Sequence, residues 1–352
     1  MLFFLALLAW AVLLIQDTTA SPNSFPSNDN GKDENGEGGV NHPRDDNLEE
    51  FLISFPLSRK SKNDLQPQES STNQEDESVL TLRLLQKPSF AFDEEVQDSL
   101  DDTGMVVWGA SVCLGRYLAQ EVLPSLFLQR QQDTVKPITI LELGCGGSAI
   151  PSLTSCRYSD RFFNNTTANG KNDASAAVDS SSLRIIATDQ TEKTLQHLGR
   201  VAALNQCSRL ERYTLQWGDD QETDDGPLHN VQADLIVASD MIYSHATVPL
   251  LVQTIQRYLA PHGTAYIAVR EGRPGVYAFH AEKMPQAGFT LSEKVSCQPY
   301  QQAQEEEAAK PPSPTWLPPG FLNAGGENRW RGHHHIYVFQ RTINKSRETA
   351  EL

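Results

Sequence analysis

Two kinds of motif are missing from the sequence. The cysteines form no C-x-x-C pair; all five stand far apart, at positions 113, 145, 156, 207 and 297. Cysteines that are odd in number and widely spaced predict a reducing compartment and no disulfide framework. The G-x-x-x-x-G-K-[ST] pattern is also missing, which excludes a P-loop site for nucleoside triphosphates.

Basic residues are scarce. The chain of 352 residues has 29 Lys and Arg against 45 Asp and Glu, a formal net charge of −16. Most of the excess lies in residues 21–102, which carry 19 acids and 7 bases. Because phosphate binding needs a basic face, this balance excludes nucleic acid as a direct partner. Residues 21–78 are also rich in Ser, Asn, Gly, Pro and Gln, which predicts a disordered acidic tail.

Only the N-terminus contains a long apolar run. In residues 1–20, 14 apolar residues follow Met1, which is short for a membrane span but suits the apolar core of a signal peptide, with Ala20 as a small cleavage residue. The basic segment that usually precedes such a core is missing. We expect a cytoplasmic protein on the cysteine pattern, with the secretory pathway, or a membrane tether through residues 1–20, as the alternatives.

Strand and helix patterns alternate from Val79 onward. We predict one domain over 79–345, with polar surface insertions at 157–182 and 298–331. Predicted strands are 79–86, 138–143, 183–189, 233–240, 263–270, 288–295 and 334–341; predicted helices are 110–128, 149–156, 191–205, 245–260 and 275–287. This alternation indicates an α/β fold: a Rossmann-like, doubly wound, mostly parallel seven-stranded sheet with helices on both faces.

A glycine-rich loop follows the strand 138–143. Residues 144–149, GCGGSA, satisfy G-x-G-x-x-A, a weak dinucleotide pattern that lets a ligand approach backbone N–H groups at a helix N-terminus. Asp189 ends the next strand, where a carboxylate binds ribose hydroxyls. NAD and S-adenosylmethionine both carry such a ribose, so these residues alone leave the cofactor open. Asp189 is also placed to cap the following helix.

Six short motifs occur in a familiar order: TGMVVWGASVCLGRYL (103–118), LELGCG (141–146), TD (188–189), LQWGD (215–219), ASDMIY (238–243) and HIYVFQR (335–341). Together they resemble the methyltransferase-like 21 group of protein-lysine methyltransferases, which are class I enzymes that use S-adenosylmethionine. The resemblance covers residues 79–341. Ser148 and Gly109 depart from the pattern, because the group often has glycine and aspartate there, and the two insertions have no counterpart in its compact members.

The resemblance implies a set of cofactor contacts. Trp108 packs against the cofactor, the glycine loop meets its methionine part, and Trp217 borders the adenine. The full predicted set is Trp108, Glu142, Gly144, Cys145, Gly146, Asp189, Trp217 and Ser239. Within it we expect Glu142 to orient the loop backbone, and Cys145 to serve as a small backbone residue and not as a nucleophile.

Asp240 and Tyr243 are the predicted catalytic residues. Asp240 ends the strand 233–240, beside the point where ligands bind in open α/β sheets. A lysine acceptor must be neutral to attack, and its deprotonation at pH 7 costs about 4–5 kcal/mol. We expect Asp240 to orient the incoming ammonium and a desolvated aromatic rim at Tyr243 to lower its pKa. Asp240 is also placed to act only as a helix N-cap.

We therefore predict a monomeric methyltransferase that uses S-adenosylmethionine to methylate lysine side chains in a protein substrate. Alternatives are arginine, histidine or small-molecule acceptors on the same fold, a NAD-dependent oxidoreductase, or an inactive cofactor-binding protein. No metal is predicted, because His333, His334 and His335 alternate between the faces of a strand and lack carboxylate or cysteine partners.

Overall fold

A computed structural model of the protein describes residues 49–57, 79–86, 104, 106–130, 137–168, 183–218, 226–298 and 333–342. Its largest element is a seven-stranded sheet in the order β5-β4-β3-β6-β7-β9-β8. The strands are β3 (Ile138–Leu143), β4 (Leu183–Asp189), β5 (Leu210–Thr214), β6 (Ala233–Ser239), β7 (Leu259–Arg270), β8 (Phe289–Ser296) and β9 (His334–Arg341). The first five positions repeat the 3-2-1-4-5 order of doubly wound folds.

The predicted sheet is confirmed as mostly parallel. β3, β4, β5, β6 and β7 pair in parallel, whereas β9 runs antiparallel to both β7 and β8. β3, β4 and β6 are buried at nearly every position, as expected for parallel strands covered on two faces.

One strand of the sheet was not predicted. β5 reads LERYT and is buried only at Leu210, because it lies at the edge of the sheet. Because several of its residues are charged, it has no apolar pattern from which a strand could be predicted. The predicted strand 79–86 does form, as β2 (Val79–Gln86), but it lies outside the large sheet.

β2 pairs instead with β1 (Glu49–Pro56) in an antiparallel two-stranded sheet. β1 lies within the segment predicted to be a disordered tail, and that prediction does not hold at 49–57. Ile53 and Phe55 are fully buried in the same apolar cluster as Leu82. The apolar stretch FLISFP is short, and a composition averaged over the 58 residues of 21–78 did not reveal it.

Helices cover both faces of the sheet. The helices are α1 (Gly109–Tyr117), α2 (Leu123–Arg130), α3 (Ile150–Ala168), α4 (Glu192–Leu204), α5 (Thr247–Tyr258) and the short α6 (Met284–Gln286). A π-helical turn, Leu118–Val122, joins α1 to α2, and a second one, Ala278–Lys283, precedes α6. α3 continues into the predicted insertion at 157–182, of which residues 169–182 lie outside the described ranges, as do residues 299–331 of the second insertion.

Two apolar cores result, one on each side of the sheet. Strand residues such as Ile140 join the core beneath α1 to α4, whereas Leu141 joins the core beneath α5 and α6. α5 carries a buried stripe at helical spacing, including Leu251 and Ile255, as its sequence predicts.

The prediction that the cysteines form no disulfide is wrong for one pair. Cys113 of α1 is bonded to Cys297, which directly follows β8, with a Cα–Cα distance of 5.9 Å. The two residues are 184 positions apart, so only the fold brings them together. Cys145, Cys156 and Cys207 are free and buried.

Within the described ranges, no helix is both long enough and apolar enough to cross a membrane. The apolar run at residues 1–20 and the remainder of the predicted tail before 49 lie outside those ranges. So does Asn344, which like Asn164 begins an N-x-[ST] triplet, the acceptor pattern for N-glycosylation.

Candidate active site

The candidate site lies where β3 and β6 end side by side. Leu143 and Ala238 are register partners on these parallel strands, so the loops that follow them start at the same edge of the sheet. The strand order reverses between β3 and β6, which makes this edge the topological switch point where doubly wound folds bind ligands.

The glycine loop after β3 needs its glycines. Gly144 and Gly146 have φ values of 61° and 59°, in the left-handed region that favours glycine. A Cβ on Gly146 would stand 3.0 Å from the Gly104 carbonyl oxygen. The Gly147 N–H also donates to that oxygen at 2.6 Å. Residue 104 therefore packs directly on the loop, and a side chain at Gly146 would push the two backbones apart.

Asp189 connects the loop to the next helix. Its Oδ2 accepts the Gly146 N–H at 3.1 Å, and its Oδ1 accepts the Thr191 N–H at 3.1 Å at the start of α4. Burial raises the pKa of this carboxyl, while the backbone hydrogen bonds oppose the rise. Asp189 thus already acts near the helix start, as one reading of the sequence predicted, and a carboxylate has further lone pairs to offer a ligand.

Glu142 lies beneath the loop. Its side chain is 1% exposed, and Oε2 accepts the Ser152 N–H at 2.9 Å in the first turn of α3. Burial raises its pKa to about 8. This places Glu142 as a support for the loop–helix junction. Cys145 is buried as well, with a thiol pKa raised by burial and a backbone N–H that donates to the Thr188 carbonyl at 2.8 Å.

Trp217 and Met241 flank the front of the loop. A Cβ on Gly144 would overlap Met241 Cε and stand 3.2 Å from Trp217 Cζ2. Both side chains are therefore in contact range of the loop backbone, together with Ser239, the partly exposed last residue of β6. Sequence reasoning missed Met241, although it stands between Asp240 and Tyr243 in the motif.

Asp240 forms the electrostatic centre of the site. Its Oδ1 lies 3.0 Å from Nη1 of Arg273, and Nη2 of Arg273 donates to Oδ2 at 3.4 Å. Asp240 has a φ of 59°, and its N–H donates to the Ala268 carbonyl on β7 at 2.8 Å. Burial raises the pKa of Asp240, while Arg273 and Arg270 oppose that rise. Since α5 begins at Thr247, Asp240 stands well before the helix and is not its N-cap.

Arg273 also reaches Trp108. The guanidinium carbon lies 5.8 Å from the centroid of the indole ring, within the range of a cation–π interaction. Trp108 is the N-terminal residue flanking α1, and its carbonyl accepts the Ser111 N–H at 3.0 Å. Sequence reasoning missed Arg273; its position just after β7, at the same edge as Asp240, was the available signal.

Tyr243 is 56% exposed, so it does not by itself provide the desolvated rim that we predicted. A Cβ on Gly275 would lie 2.8 Å from the Ser244 carbonyl oxygen, which shows how closely the loops after β6 and β7 pack. Tyr277, at 70% exposure, directly precedes the second π-helical turn, after the β7 loop. Each of the two segments therefore carries one exposed tyrosine.

Within the described ranges, no group of three or more His, Cys, Asp or Glu side chains has the arrangement of a metal site. His334 is buried, whereas His335 Nδ1 lies 3.2 Å from Glu271 Oε1. Glu271 also accepts the Tyr337 hydroxyl and pairs with Lys294, so this group forms an ion-pair network.

Sequence comparison connects this site to a known family. Residues 174–282, which include Asp189, Trp217 and Asp240, match the model of a family described as lysine methyltransferase. A mouse protein named EEF1A lysine methyltransferase 3 is 34% identical to the chain over 73 residues, which is 20% of this chain and 29% of the mouse protein. The chain thus aligns with less than a third of that curated relative.

Solved structures of similar architecture include two bacterial methyltransferases. A TehB-like SAM-dependent methyltransferase from Corynebacterium glutamicum has 12% identity and a TM-score of 0.35, over 72% of this chain and 98% of that chain. A ribosomal protein L11 methylase from Lactobacillus delbrueckii subsp. bulgaricus has 13% identity and a TM-score of 0.36, over 74% of this chain and 95% of that chain.

Proposed function

We propose that the protein is an S-adenosylmethionine-dependent methyltransferase that methylates lysine side chains of a protein substrate. The observation that carries the proposal is that the segment matching the lysine methyltransferase family supplies both Asp189, which ends β4, and Asp240, which follows β6, and that these two strands lie on either side of β3. The first borders the glycine loop and the second opens the neighbouring loop.

The residues at the switch point fit S-adenosylmethionine, which supplies the methyl group when bound. Gly144 and Gly146 allow the loop after β3 the left-handed backbone angles with which it would turn towards the methionine part. The lone pairs of Asp189 that the backbone leaves unused are available to the ribose hydroxyls. Trp217 offers an aromatic surface for the adenine, and Trp108 a second aromatic contact.

The acceptor approaches from the loops after β6 and β7. Methyl transfer is an in-line displacement, so the protein contributes mainly by holding the acceptor nitrogen in line with the methyl group. Asp240 orients the amine through its carboxylate. Because Tyr243 is exposed, the acceptor protein itself must cover it and exclude water, which favours a protein acceptor over a free amine. We propose that the enzyme acts as a monomer.

Binding experiments with the full-length chain test the cofactor. We expect S-adenosylhomocysteine to bind with micromolar affinity in calorimetry and NAD not to bind. Asp189→Ala should weaken S-adenosylhomocysteine by about 1.5–3 kcal/mol, through lost charge-assisted hydrogen bonds. Preferential binding of NAD would replace the proposal with the oxidoreductase alternative.

Labelling experiments test the acceptor. The chain is incubated with methyl-labelled S-adenosylmethionine and a cell lysate, and the labelled residue is mapped by mass spectrometry. Label on lysine, lost in Asp240→Asn, is the expected result. Label on arginine, histidine or small molecules would keep the fold and cofactor but reject the lysine acceptor.

We propose that the protein matures on the secretory route, the alternative to the cytoplasm or a membrane tether. The Cys113–Cys297 disulfide supports this proposal, because disulfides persist in oxidising compartments, and so does the signal-like run at residues 1–20. Non-reducing peptide mapping of the protein from its native cells should recover the disulfide, and N-glycosylation should appear at Asn164 or Asn344. Reduced Cys113 in a cytoplasmic fraction would refute it.

A further inference from the structure

We propose that Arg273 is a positioning residue for the acceptor site, which holds Asp240 as an anion and fixes the direction of its carboxylate. The inference rests on the proposed function, since it assigns Arg273 to the same reaction. It is carried by the geometry around Arg273, which lies on the loop between β7 and the second π-helical turn.

The guanidinium of Arg273 contacts both carboxylate oxygens of Asp240. Nη1 of Arg273 lies 3.0 Å from Oδ1 of Asp240, and Nη2 lies 3.4 Å from Oδ2. Nη1 also donates to the Asp240 backbone carbonyl at 3.4 Å. The guanidinium thus donates to Oδ2 and to the carbonyl of the same residue, while Oδ1 lies within ion-pair distance but accepts no hydrogen bond from the described residues. Contacts to three oxygens of one residue restrict the direction of its carboxylate.

Asp240 needs such a partner because of where it lies. Its side chain is 5% exposed, against 22% for that of Arg273, so the carboxylate has lost most of its water while the guanidinium retains some. A buried carboxylate without a cation favours its neutral form. A protonated Asp240 would no longer attract an ammonium, and this loss would occur before any acceptor bound.

Arg273 is also held from the other side. Its guanidinium carbon lies 5.8 Å from the Trp108 ring, so the cation stands between a predicted cofactor contact and the predicted acceptor contact. The guanidinium therefore contacts both Asp240 and Trp108. This arrangement links the orientation of Asp240 to the segment that opens α1.

The other charged and titratable groups around Asp240 do not replace Arg273. Arg270, at the end of β7, also opposes the rise in the pKa of Asp240, but it follows Arg273 in strength. Tyr243 and His245 are both exposed on the segment of Asp240 itself. Glu271, the acid nearest to Arg273 in sequence, pairs with Lys294 at 2.8 Å.

The test compares Arg273→Gln and Arg273→Lys with a matched control, Arg257→Gln. Arg257 also places its guanidinium over an aromatic ring, 5.3 Å from the centroid of Tyr258, but it stands in the last turn of α5. Methyl transfer from labelled S-adenosylmethionine to a dilute lysate is measured against pH. Under these conditions the rate is proportional to kcat/KM, which reports the ionisation of the free enzyme and of the free acceptor. The acceptor is the same for every variant, so a difference between two pH profiles reports the enzyme.

Removal of the cation raises the pKa of Asp240, so activity that requires the anion begins at higher pH. We expect the acid limb to move up by about 1–3 pH units in Arg273→Gln, less in Arg273→Lys, and not at all in Arg257→Gln. S-adenosylhomocysteine affinity should stay within about two-fold of the wild type in every variant. An equal loss of rate at all pH values, with no movement of the limb, would refute the positioning role.

A second readout does not depend on methyl transfer. In the full-length protein with ¹³Cγ-labelled aspartate, the Asp240 signal is identified by its loss in Asp240→Asn and titrated in the wild type and in both Arg273 variants. The midpoint should rise in Arg273→Gln and, to a smaller extent, in Arg273→Lys. An unchanged midpoint would overturn the inference, whereas a wild type that binds no S-adenosylhomocysteine would overturn the proposed function and leave this titration readable.

Discussion

Replacement of Gly144 by alanine should destabilise the folded protein for two separate reasons. The first is backbone strain, because the φ of 61° costs an L-residue about 1–2 kcal/mol. The second is a collision, since the new Cβ would overlap Met241 Cε and stand 2.6 Å from its Sδ. These atoms end a flexible, partly buried side chain that can move aside, so the added cost should lie at the low end of the about 1–3 kcal/mol that is typical of overpacking.

Gly288 provides the matched control. It also has a positive φ, 82°, but a Cβ there would meet no atom within 4 Å. Gly288→Ala should therefore show the strain alone. We expect urea unfolding to give a loss of about 1–2 kcal/mol for Gly288→Ala and about 2–4 kcal/mol for Gly144→Ala.

The double variant Gly144→Ala/Met241→Ala isolates the collision. Removing the Met241 side chain beyond Cβ frees the space that the new methyl group needs, so the two changes together should destabilise less than the sum of the two single changes. S-adenosylhomocysteine affinity, measured by calorimetry, should fall in Gly144→Ala and stay unchanged in Gly288→Ala. Equal stability losses in the two glycine variants, or strict additivity with Met241→Ala, would refute the steric argument.

Three further predictions concern other parts of the fold. The carboxyl of Glu142 has a folded pKa raised to about 8, so between about pH 4.5 and 8 the native state binds more protons than the unfolded state, and stability falls as pH rises through that window. Urea unfolding of Glu142→Gln should not show this slope. An unchanged slope would show that Glu142 does not cause it. Replacing both Cys113 and Cys297 by serine should lower the free energy of unfolding by about 2–5 kcal/mol, because a long loop is released in the unfolded chain; no change on reduction of the wild type would show that the bond does not form. Tyr243→Phe should retain most of the methyl transfer to a lysate, whereas Tyr243→Ala should lose more because the acceptor loses an aromatic contact, and equal rates in both would remove Tyr243 from the site.

The parallel strands were predictable from sequence because a strand buried on both faces consists almost entirely of apolar residues. β3, β4 and β6 read as apolar runs followed by a glycine or an acid, and each lies where it was predicted. The failures have the opposite character. β5 is a charged edge strand, and β1 is a short strand inside a mostly polar segment, so neither differs from its surroundings in composition.

The residues of the candidate site also fall into those that could be predicted from sequence and those that could not. Asp189 ends β4 and Asp240 follows β6, and a position at the end of a strand can be predicted from local sequence. Arg273 and Met241 owe their place to contacts across the fold, with Asp240 in one case and with Gly144 in the other. A single sequence holds no sign of such a contact until the strand order is known. The disulfide between Cys113 and Cys297 is invisible for the same reason.

The position of β9 has a consequence for the order in which the chain folds during synthesis. Within the described sheet, β8 pairs only with β9, and β9 lies between β7 and β8 although it follows both in the chain. β8 therefore leaves the ribosome before the strand that it needs, and its edge stays unpaired until residue 341 has emerged. The N–H of Cys297 donates to the carbonyl of His334 on β9 at 2.9 Å, so the same late strand fixes the backbone at Cys297. We expect the Cys113–Cys297 bond to form after β9 has been translated, and to link the end of β8 to α1 at that stage.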